Sequence, residues 1–164
     1  MKKINLFPGL SLIKKKFLKN QIYYYLKTPD VALIIPKIKN KYLVVSQKRI
    51  PINKITYEFP GGLVDKGDNA KQSAIKELFE ETGYKCLNNP KKLIEICPDP
   101  GRLDCKYISY STNKLIKINK PEKGINLHFF TKDQIIKLIK KKKFVHACHT
   151  TAFYHFLLFG KNIN

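Results

Sequence analysis

The stretch GLVDKGDNAKQSAIKELFEETGY, which runs from residue 62 to residue 84, combines a glycine-rich beginning with an acidic helix. The pattern predicts a helix that begins at Asn69 or Ala70 and continues to about Thr82. Asn69 can cap its first turn, and Gly83 offers the left-handed residue that commonly ends a helix. One side of this helix is apolar at helical spacing. It consists of Ala74, Ile75, Leu78 and Phe79.

The carboxylates of the same helix are concentrated on one arc. The chain has only 12 acidic residues, and half of them fall between residues 58 and 81. Glu77 and Glu81 are one helical turn apart and Glu80 lies beside them, so the three repel one another unless a cation is present. Oxygen ligands without Cys or His suit Mg²⁺ or Mn²⁺, and such ions suit phosphate chemistry. The pattern therefore predicts a metal site for a phosphate-containing substrate.

A solvated acidic face, paired locally with Lys76 and Lys85, is the alternative interpretation of these carboxylates. The preceding Pro60-Gly61-Gly62 favours the functional interpretation. A glycine-rich loop lets the backbone approach a ligand closely, and this one comes directly before the acidic helix.

Over its whole length the segment resembles the Nudix box, G-x5-E-x7-R-E-U-x-E-E-x-G-U, in which U is a bulky apolar residue. Every position from Gly62 to Tyr84 aligns without a gap, with two conservative departures. Asp68 stands where the family has Glu, and Lys76 stands where it has Arg. The resemblance implies an α/β fold of the Nudix type, which is an α/β/α sandwich with a mixed β-sheet.

The resemblance also implies roles for the box residues. Glu77, Glu80 and Glu81 would be catalytic residues that hold Mg²⁺, with Mn²⁺ as an alternative, and the Gly61 carbonyl would be a further metal ligand. The metal would polarise the bridging phosphates and lower the pKa of an attacking water. The expected enzyme is a Nudix pyrophosphatase that acts on a nucleoside diphosphate derivative.

The upstream flank narrows the substrate class. Gln47-Lys48-Arg49 and the stretch from Tyr57 to Gly62 are similar to the Q-x-R and E-x-P-[AG]-G segments of ADP-ribose pyrophosphatases. That likeness implies that Arg49 contacts the substrate's phosphates and that Glu58 lies near the substrate and the metals. The expected reaction converts ADP-ribose to AMP and ribose 5-phosphate.

The downstream flank adds two further candidates. Residues 98–102 resemble a loop over the same pocket, and Pro100 matches a proline that members preferring ADP-ribose often carry after the box. Arg102 closes this segment. Arg49 and Arg102 are the only arginines among 32 basic residues, so both planar guanidinium groups fall in segments expected to face the substrate.

The general base is the part of the resemblance that does not transfer cleanly. ADP-ribose pyrophosphatases usually take it from a Glu in a loop before a late strand, and the matching position here is Lys123 or Gly124. Glu122 fills the role if the loop shifts by a residue or two, and a glutamate of the box is the alternative.

Two other functions stay open. One is cleavage of a different substrate, such as a nucleotide sugar, a dinucleoside polyphosphate or an RNA 5′ end. The other is a Nudix-fold module that binds a nucleotide without cleaving it.

Composition limits the partners. The net charge of +20 attracts anions, but its almost complete reliance on lysine is typical of a coding bias and poor in the arginine that nucleic-acid contacts favour. A small nucleotide is therefore the expected partner, rather than a nucleic acid. Charges interrupt every apolar window, so no membrane span is expected. Four irregularly spaced cysteines suggest reduced thiols and a cytoplasmic protein.

The chain is expected to form one Nudix domain over residues 22–160, after a peripheral N-terminal lead-in over residues 1–21 with a short helix near residues 10–18. Related pyrophosphatases are often dimers, which makes a homodimer one expected assembly, although the short lead-in offers no obvious segment to exchange. Strands are predicted at 22–27, 31–36, 42–47, 92–97, 104–110, 114–119 and 126–130, a loop at 48–56, and further helices at 131–140 and 146–159.

Overall fold

A computed structural model describes residues 2–160 of the chain. Its strands are β1 (Lys2–Phe7), β2 (Leu10–Phe17), β3 (Gln21–Lys27), β4 (Val31–Ile38), β5 (Lys41–Arg49), β6 (Lys54–Glu58), β7 (Gly61–Leu63), β8 (Tyr84–Cys86), β9 (Lys91–Ile96), β10 (Leu103–Asp104), β11 (Tyr107–Thr112), β12 (Leu115–Lys117) and β13 (Asn126–Thr131). Its helices are α1 (Ala70–Thr82), α2 (Lys132–Lys140) and α3 (Ala147–Phe159).

The central sheet has the order β13-β5-β4-β11-β9, with β6 paired to β5 and β7 paired to β4. Strands β4 and β11 run parallel, whereas the other pairs are antiparallel, so the sheet is mixed. The β4 sequence is an almost continuous apolar run because both of its faces are covered. This strand places β7, and with it the glycine-rich loop, beside the centre of the sheet.

Helices cover both faces of that sheet. Side chains alternate across a strand, so Ala32 and Ile34 of β4 lie on one face and Leu33 and Ile35 on the other. The first pair packs with Ala74 and Leu78 of α1. The second pair packs with α2 and α3 through Ile135, Ala152 and Phe153. The α/β/α sandwich with a mixed sheet is confirmed.

The predicted start and end of α1 are confirmed. Asn69 accepts hydrogen bonds from the backbone N–H groups of Lys71 and Gln72, and Gln72 bonds back to the Asn69 amide in a capping box. Gly83 follows with φ of +69° and donates its N–H to the Phe79 carbonyl. The helices predicted at 131–140 and 146–159 are also present.

The short helix predicted near residues 10–18 is wrong. Residues Leu10–Phe17 form β2, which pairs with β1 on one side and β3 on the other. The alternation of buried Ser11 and Ile13 with more exposed neighbours has the strand period of two, and the two flanking strands satisfy the backbone. Of the predicted lead-in, Met1 lies outside the described residues.

The loop predicted at residues 48–56 is mostly a hairpin. Strand β5 continues to Arg49 and β6 begins at Lys54, with one 3₁₀ turn at Ile50–Ile52 between them. Asn53 closes the turn with φ of +49°, a conformation that Asn tolerates. The hairpin matters for the site because it brings Arg49 alongside the strand that ends at Glu58.

A second sheet, the N-terminal sheet, has the strand order β1-β2-β3-β10. Its last strand, β10, joins it to the rest of the fold. This short strand pairs parallel with β3. The Tyr23 hydroxyl donates to the Gly101 carbonyl, and the Leu26 amide donates to the Arg102 carbonyl at 2.8 Å. The segment before β10 is therefore held against β3.

No helix within residues 2–160 has the length and hydropathy needed to cross a membrane.

Candidate active site

An ion pair between Arg49 and Glu58 forms one side of the site. The Arg49 Nε donates to Glu58 Oε1 at 3.0 Å, and its Nη2 donates to Oε2, so the contact is bidentate. The Thr56 hydroxyl donates to the same carboxylate. Burial of Glu58 would by itself raise its pKa, but the hydrogen bonds from Arg49 and Thr56 outweigh burial and lower the pKa to about 2. Glu58 is therefore ionised at any physiological pH.

Glu81 is the second buried carboxylate of the site. It lies in the last turn of α1 and is 6% exposed. Its Oε2 accepts the Gly61 N–H at 3.0 Å, and its Oε1 is 3.4 Å from the Gln47 amide nitrogen. Burial raises the pKa of Glu81 to about 7, against the lowering effect of the Gly61 hydrogen bond, and the charge of Glu77 adds to the increase. The charge of nearby Arg49 lowers the pKa of Glu81 but does not offset the effect of burial.

Glu77 lies one turn earlier on α1 and rests against the glycine-rich loop. A Cβ atom on Gly62 would collide with the Glu77 carboxylate, so Gly62 leaves the room that Glu77 occupies. Burial raises the pKa of Glu77, and the charges of Glu80, Asp65 and Glu122 raise it further. Glu80 itself is exposed.

A cavity of about 690 Å³ brings several of these groups together. Arg49, Glu58, Gly61 and Gly62 line it, together with Tyr107 and several apolar side chains. A second cavity of about 290 Å³ shares Val31, Leu63 and Tyr107 with the first and is lined mainly by apolar residues. The two cavities therefore adjoin and offer a polar region beside an apolar one.

Of the other residues predicted for the site, Glu122 lies near the box, whereas Pro100 and Arg102 lie outside the 690 Å³ cavity. Glu122 lies in the loop between β12 and β13, close enough to Glu77 for its charge to raise the Glu77 pKa. The same loop begins against the end of α1, where the Ile118 and Asn119 amides donate to the Gly83 carbonyl. Pro100 lines a separate cavity against β3, and neither Pro100 nor Arg102 lines the 690 Å³ cavity. Their role in substrate binding stays a prediction.

Comparison with protein families gives a match to the NUDIX domain over residues 26–151. The chain belongs to the Nudix family. The Nudix resemblance of the acidic helix is thereby confirmed, and the match covers the central sheet, the box and the residues that line the 690 Å³ cavity. It begins within β3, so the boundary predicted at residue 22 remains a prediction.

Several relatives match this Nudix chain. A methanol dehydrogenase activator from Bacillus methanolicus is 32% identical over 69% of this chain and 63% of the relative. An ADP-ribose pyrophosphatase from Methanocaldococcus jannaschii is 33% identical over 60% of this chain and 58% of the relative. An ADP-sugar pyrophosphatase from Mus musculus is 32% identical over 48% of this chain and 38% of the relative. The chain thus spans less than two thirds of the length of these relatives.

A solved structure described as an ADP compounds hydrolase has a TM-score of 0.78 and 16% sequence identity, and the match covers 94% of this chain and 87% of that chain. At that identity the likeness is one of fold. It agrees with the mixed sheet and the helices on both of its faces.

The donor chemistry of the site fits a divalent cation. Within residues 2–160, no three Asp, Glu, His or Cys side chains converge as a closed metal site. Burial nevertheless raises the pKa of both Glu77 and Glu81, since the nearby charges of Lys76 and Arg49 do not offset it, and the Gly61 backbone lies beside Glu81. Mg²⁺ binds through one or two carboxylates and keeps several waters, so it suits this open arrangement of oxygen ligands.

Two histidines near the start of α3 also line the cavity. His146 and His149 of the α3 segment face the same cavity as Arg49 and Glu58, with His ring centroids 4.3 Å apart. Tyr107 lies 5.4 Å from the His146 ring. No local pattern could have indicated this position, since the contacts join segments about ninety residues apart in the chain.

The raised pKa of Glu81 predicts how metal-free stability depends on pH. Between its ordinary value of 4.5 and about 7, the unfolded state loses the proton that the folded state keeps, so stability falls as pH rises through this window. The full shift corresponds to about 3 kcal/mol. We expect metal-free Glu81→Gln to be more stable than the parent at pH 8 and nearly equal to it at pH 4.5, in urea unfolding followed by circular dichroism.

Mg²⁺ supplies the matching test. It should stabilise the parent protein more at pH 8 than at pH 5, since Glu81 must lose its proton to bind, and it should stabilise Glu81→Gln much less. Glu95→Gln is the control, because Glu95 of β9 pairs with Lys92 and Lys106 away from α1. A Glu81→Gln variant that is less stable than the parent at pH 8 without metal would contradict the burial argument.

Proposed function

We propose that the protein hydrolyses the pyrophosphate of a nucleoside diphosphate derivative in a Mg²⁺-dependent reaction. ADP-ribose is the favoured substrate, and AMP and ribose 5-phosphate are the products. One observation carries the proposal: the buried Glu81 carboxylate is held on the Gly61 amide, and Gly61 lines one cavity with the Arg49–Glu58 pair. The names of relatives that are ADP-ribose and ADP-sugar pyrophosphatases support the choice of substrate class.

The shape of the cavities supports a substrate with a charged middle and a larger organic part. Arg49 is 41% exposed, and its bidentate contact with Glu58 employs only part of the guanidinium group. The remaining N–H groups are available to a phosphate. The adjoining apolar cavity, reached past Tyr107 and Leu63, offers burial for a flat or apolar group.

The site residues have separate proposed roles in metal binding, substrate orientation and proton transfer. Glu77, Glu80 and Glu81 would hold Mg²⁺ with the Gly61 carbonyl, and when bound the ion would neutralise phosphate charge and acidify a water. Arg49 orients the pyrophosphate, and Glu58 fixes the guanidinium group in place. Glu122 is the proposed base, because its loop brings the carboxylate within electrostatic range of Glu77.

The test of the activity is a product assay with Mg²⁺. ADP-ribose is compared with ADP-glucose, diadenosine polyphosphates, NADH and a triphosphate-ended RNA, and products are separated by chromatography. We expect AMP and ribose 5-phosphate to form fastest from ADP-ribose and to be lost in Glu81→Gln. Faster cleavage of another compound would reassign the substrate. If the protein binds nucleotide but cleaves none of the compounds, it is a nucleotide-binding module and not an enzyme.

The assignment of the base makes a separate prediction. Glu122→Gln should lower kcat by roughly 100-fold with little change in KM, since general-base catalysis commonly contributes that much. The acidic limb of the pH profile should also change. Lys123→Gln is the matched control, because it alters the charge of the neighbouring residue in the same loop. An unchanged pH profile in Glu122→Gln would transfer the role to a glutamate of the box.

We also propose that the protein is a cytoplasmic homodimer. All four cysteines are free thiols, which suits a reducing compartment. One face of the N-terminal sheet carries an apolar row, in which half-buried Leu12 and Leu26 align with exposed Ile4 across β1, β2 and β3. Exposed Ile22 and Tyr24 of β3 extend this row, opposite Lys16 and Lys14 of β2.

A second copy of the chain is the proposed partner for that face. Light scattering after size exclusion should give the mass of two chains, and Ile22→Glu should reduce it to one. A parent protein that is monomeric at micromolar concentration would contradict the dimer.

A further inference from the structure

The segment Glu58–Gly61 is fixed at each of its four consecutive residues by a different part of the fold. The segment connects β6 to β7 and carries both Glu58 and the glycine that contacts Glu81. The four partners are Arg49 of β5 for Glu58, His149 of α3 for Phe59, Ile34 of β4 for Pro60 and Glu81 of α1 for Gly61. Three of these partners belong to the central sheet or to the box, and the fourth comes from the helix on the opposite face.

The contact with α3 is a hydrogen bond between buried groups. The Phe59 amide donates to His149 Nδ1 at 3.1 Å, and the two residues are 1% and 3% exposed. An amide left without an acceptor in such a place is destabilising, so the bond constrains the conformation at Phe59. The Phe59 ring is held as well, with ring centroids 5.3 Å from Phe144 and 5.7 Å from Phe153.

The imidazole acts here as an acceptor in one defined tautomer. Because Nδ1 accepts the Phe59 N–H, it carries no proton, and the proton of the neutral ring resides on Nε2. Burial, with the neighbouring His146 as a second cause, lowers the pKa of His149 to about 3. The ring therefore stays neutral and keeps its acceptor over the working pH range, which makes proton transfer by His149 an unsuitable role.

We infer that His149 is a positioning residue of the active site, which fixes the Phe59 amide and thereby the Gly61 backbone against Glu81. The inference rests on the proposed function insofar as Gly61 and Glu81 serve a metal-dependent reaction. A histidine that merely fills the core would need only its volume. A positioning histidine needs an acceptor at the location of Nδ1.

Two substitutions separate volume from acceptor. His149→Leu keeps the volume approximately and removes the acceptor, whereas the Asn side-chain oxygen in His149→Asn can replace Nδ1. Phe156→Leu is the control for lost packing in α3, since Phe156 lies two turns further on and contacts Tyr42 instead of the Phe59 segment. Each variant is compared by thermal unfolding, by Mn²⁺ affinity from electron paramagnetic resonance without substrate, and by kcat and KM.

We expect His149→Leu to weaken Mn²⁺ binding by about tenfold and to lower kcat similarly with little change in KM, as loss of a supporting residue commonly does. His149→Asn should recover most of the affinity. Phe156→Leu should lose stability but keep the Mn²⁺ affinity of the parent. Equal Mn²⁺ affinity in His149→Leu and the parent, or equal losses in His149→Leu and Phe156→Leu, overturns the inference.

The inference can also be tested on the unmodified protein, so that this measurement does not depend on whether a variant folds. Nitrogen NMR of the imidazole should show an unprotonated Nδ1 and a protonated Nε2 from pH 5 to 9, and hydrogen exchange should show a strongly protected Phe59 amide. A protonated Nδ1 or a rapidly exchanging amide overturns the inference. If the parent binds Mn²⁺ and cleaves no nucleotide, the proposed function fails, and the Mn²⁺ affinities alone decide the role of His149. A parent that binds no Mn²⁺ overturns both.

Discussion

The hydrogen bond from the Gly61 amide to Glu81 joins the central sheet to the acidic helix, and the geometry of the site depends on it. Gly61 pairs with Leu33 of β4, and a Cβ atom at Gly61 would meet the Ala32 carbonyl at 2.5 Å. Only glycine permits this approach of two backbones. The Glu81 carboxylate is thus held on a strand of the central sheet, next to the glycine that lines the 690 Å³ cavity.

Two buried glutamates behave oppositely because their surroundings differ. Glu58 is compensated by a bidentate guanidinium and keeps its charge, whereas Glu81 has a backbone N–H as its main partner and has a pKa near 7. The overall charge of +20 does not relieve Glu81, since exposed lysines act through water and are screened. A divalent ion is the natural compensation for this carboxylate and for Glu77, which is why the electrostatics support a metal-dependent hydrolase.

The N-terminal sheet influences the site indirectly. It holds residues 98–104 through the β3–β10 pairing and through Tyr23, and the adjoining apolar cavity is lined both by Pro98 and by the turn at Pro8 and Gly9. The sheet therefore helps to form the apolar end of the proposed substrate site. This arrangement gives a structural function to residues whose sequence alone suggested only a basic lead-in.

The amino-acid pattern was sufficient to predict the box helix and its caps, because these depend on local spacing: Asn69 and Gly83 act on their own helix, and Glu77, Glu80 and Glu81 lie one turn or less apart on its surface. The family followed from the resemblance of the same residues to the Nudix box. Likewise, alternation and apolar runs located most strands. The folded structure was needed to show that β2 is a strand, because its backbone is satisfied by the neighbouring strands β1 and β3 and not within the segment itself. It was also needed to show that His149 accepts from the Phe59 amide, because these residues are 90 positions apart in the chain. It also decided that Glu58 and Glu81 differ in pKa, since burial and the placement of Arg49 are properties of the packed fold.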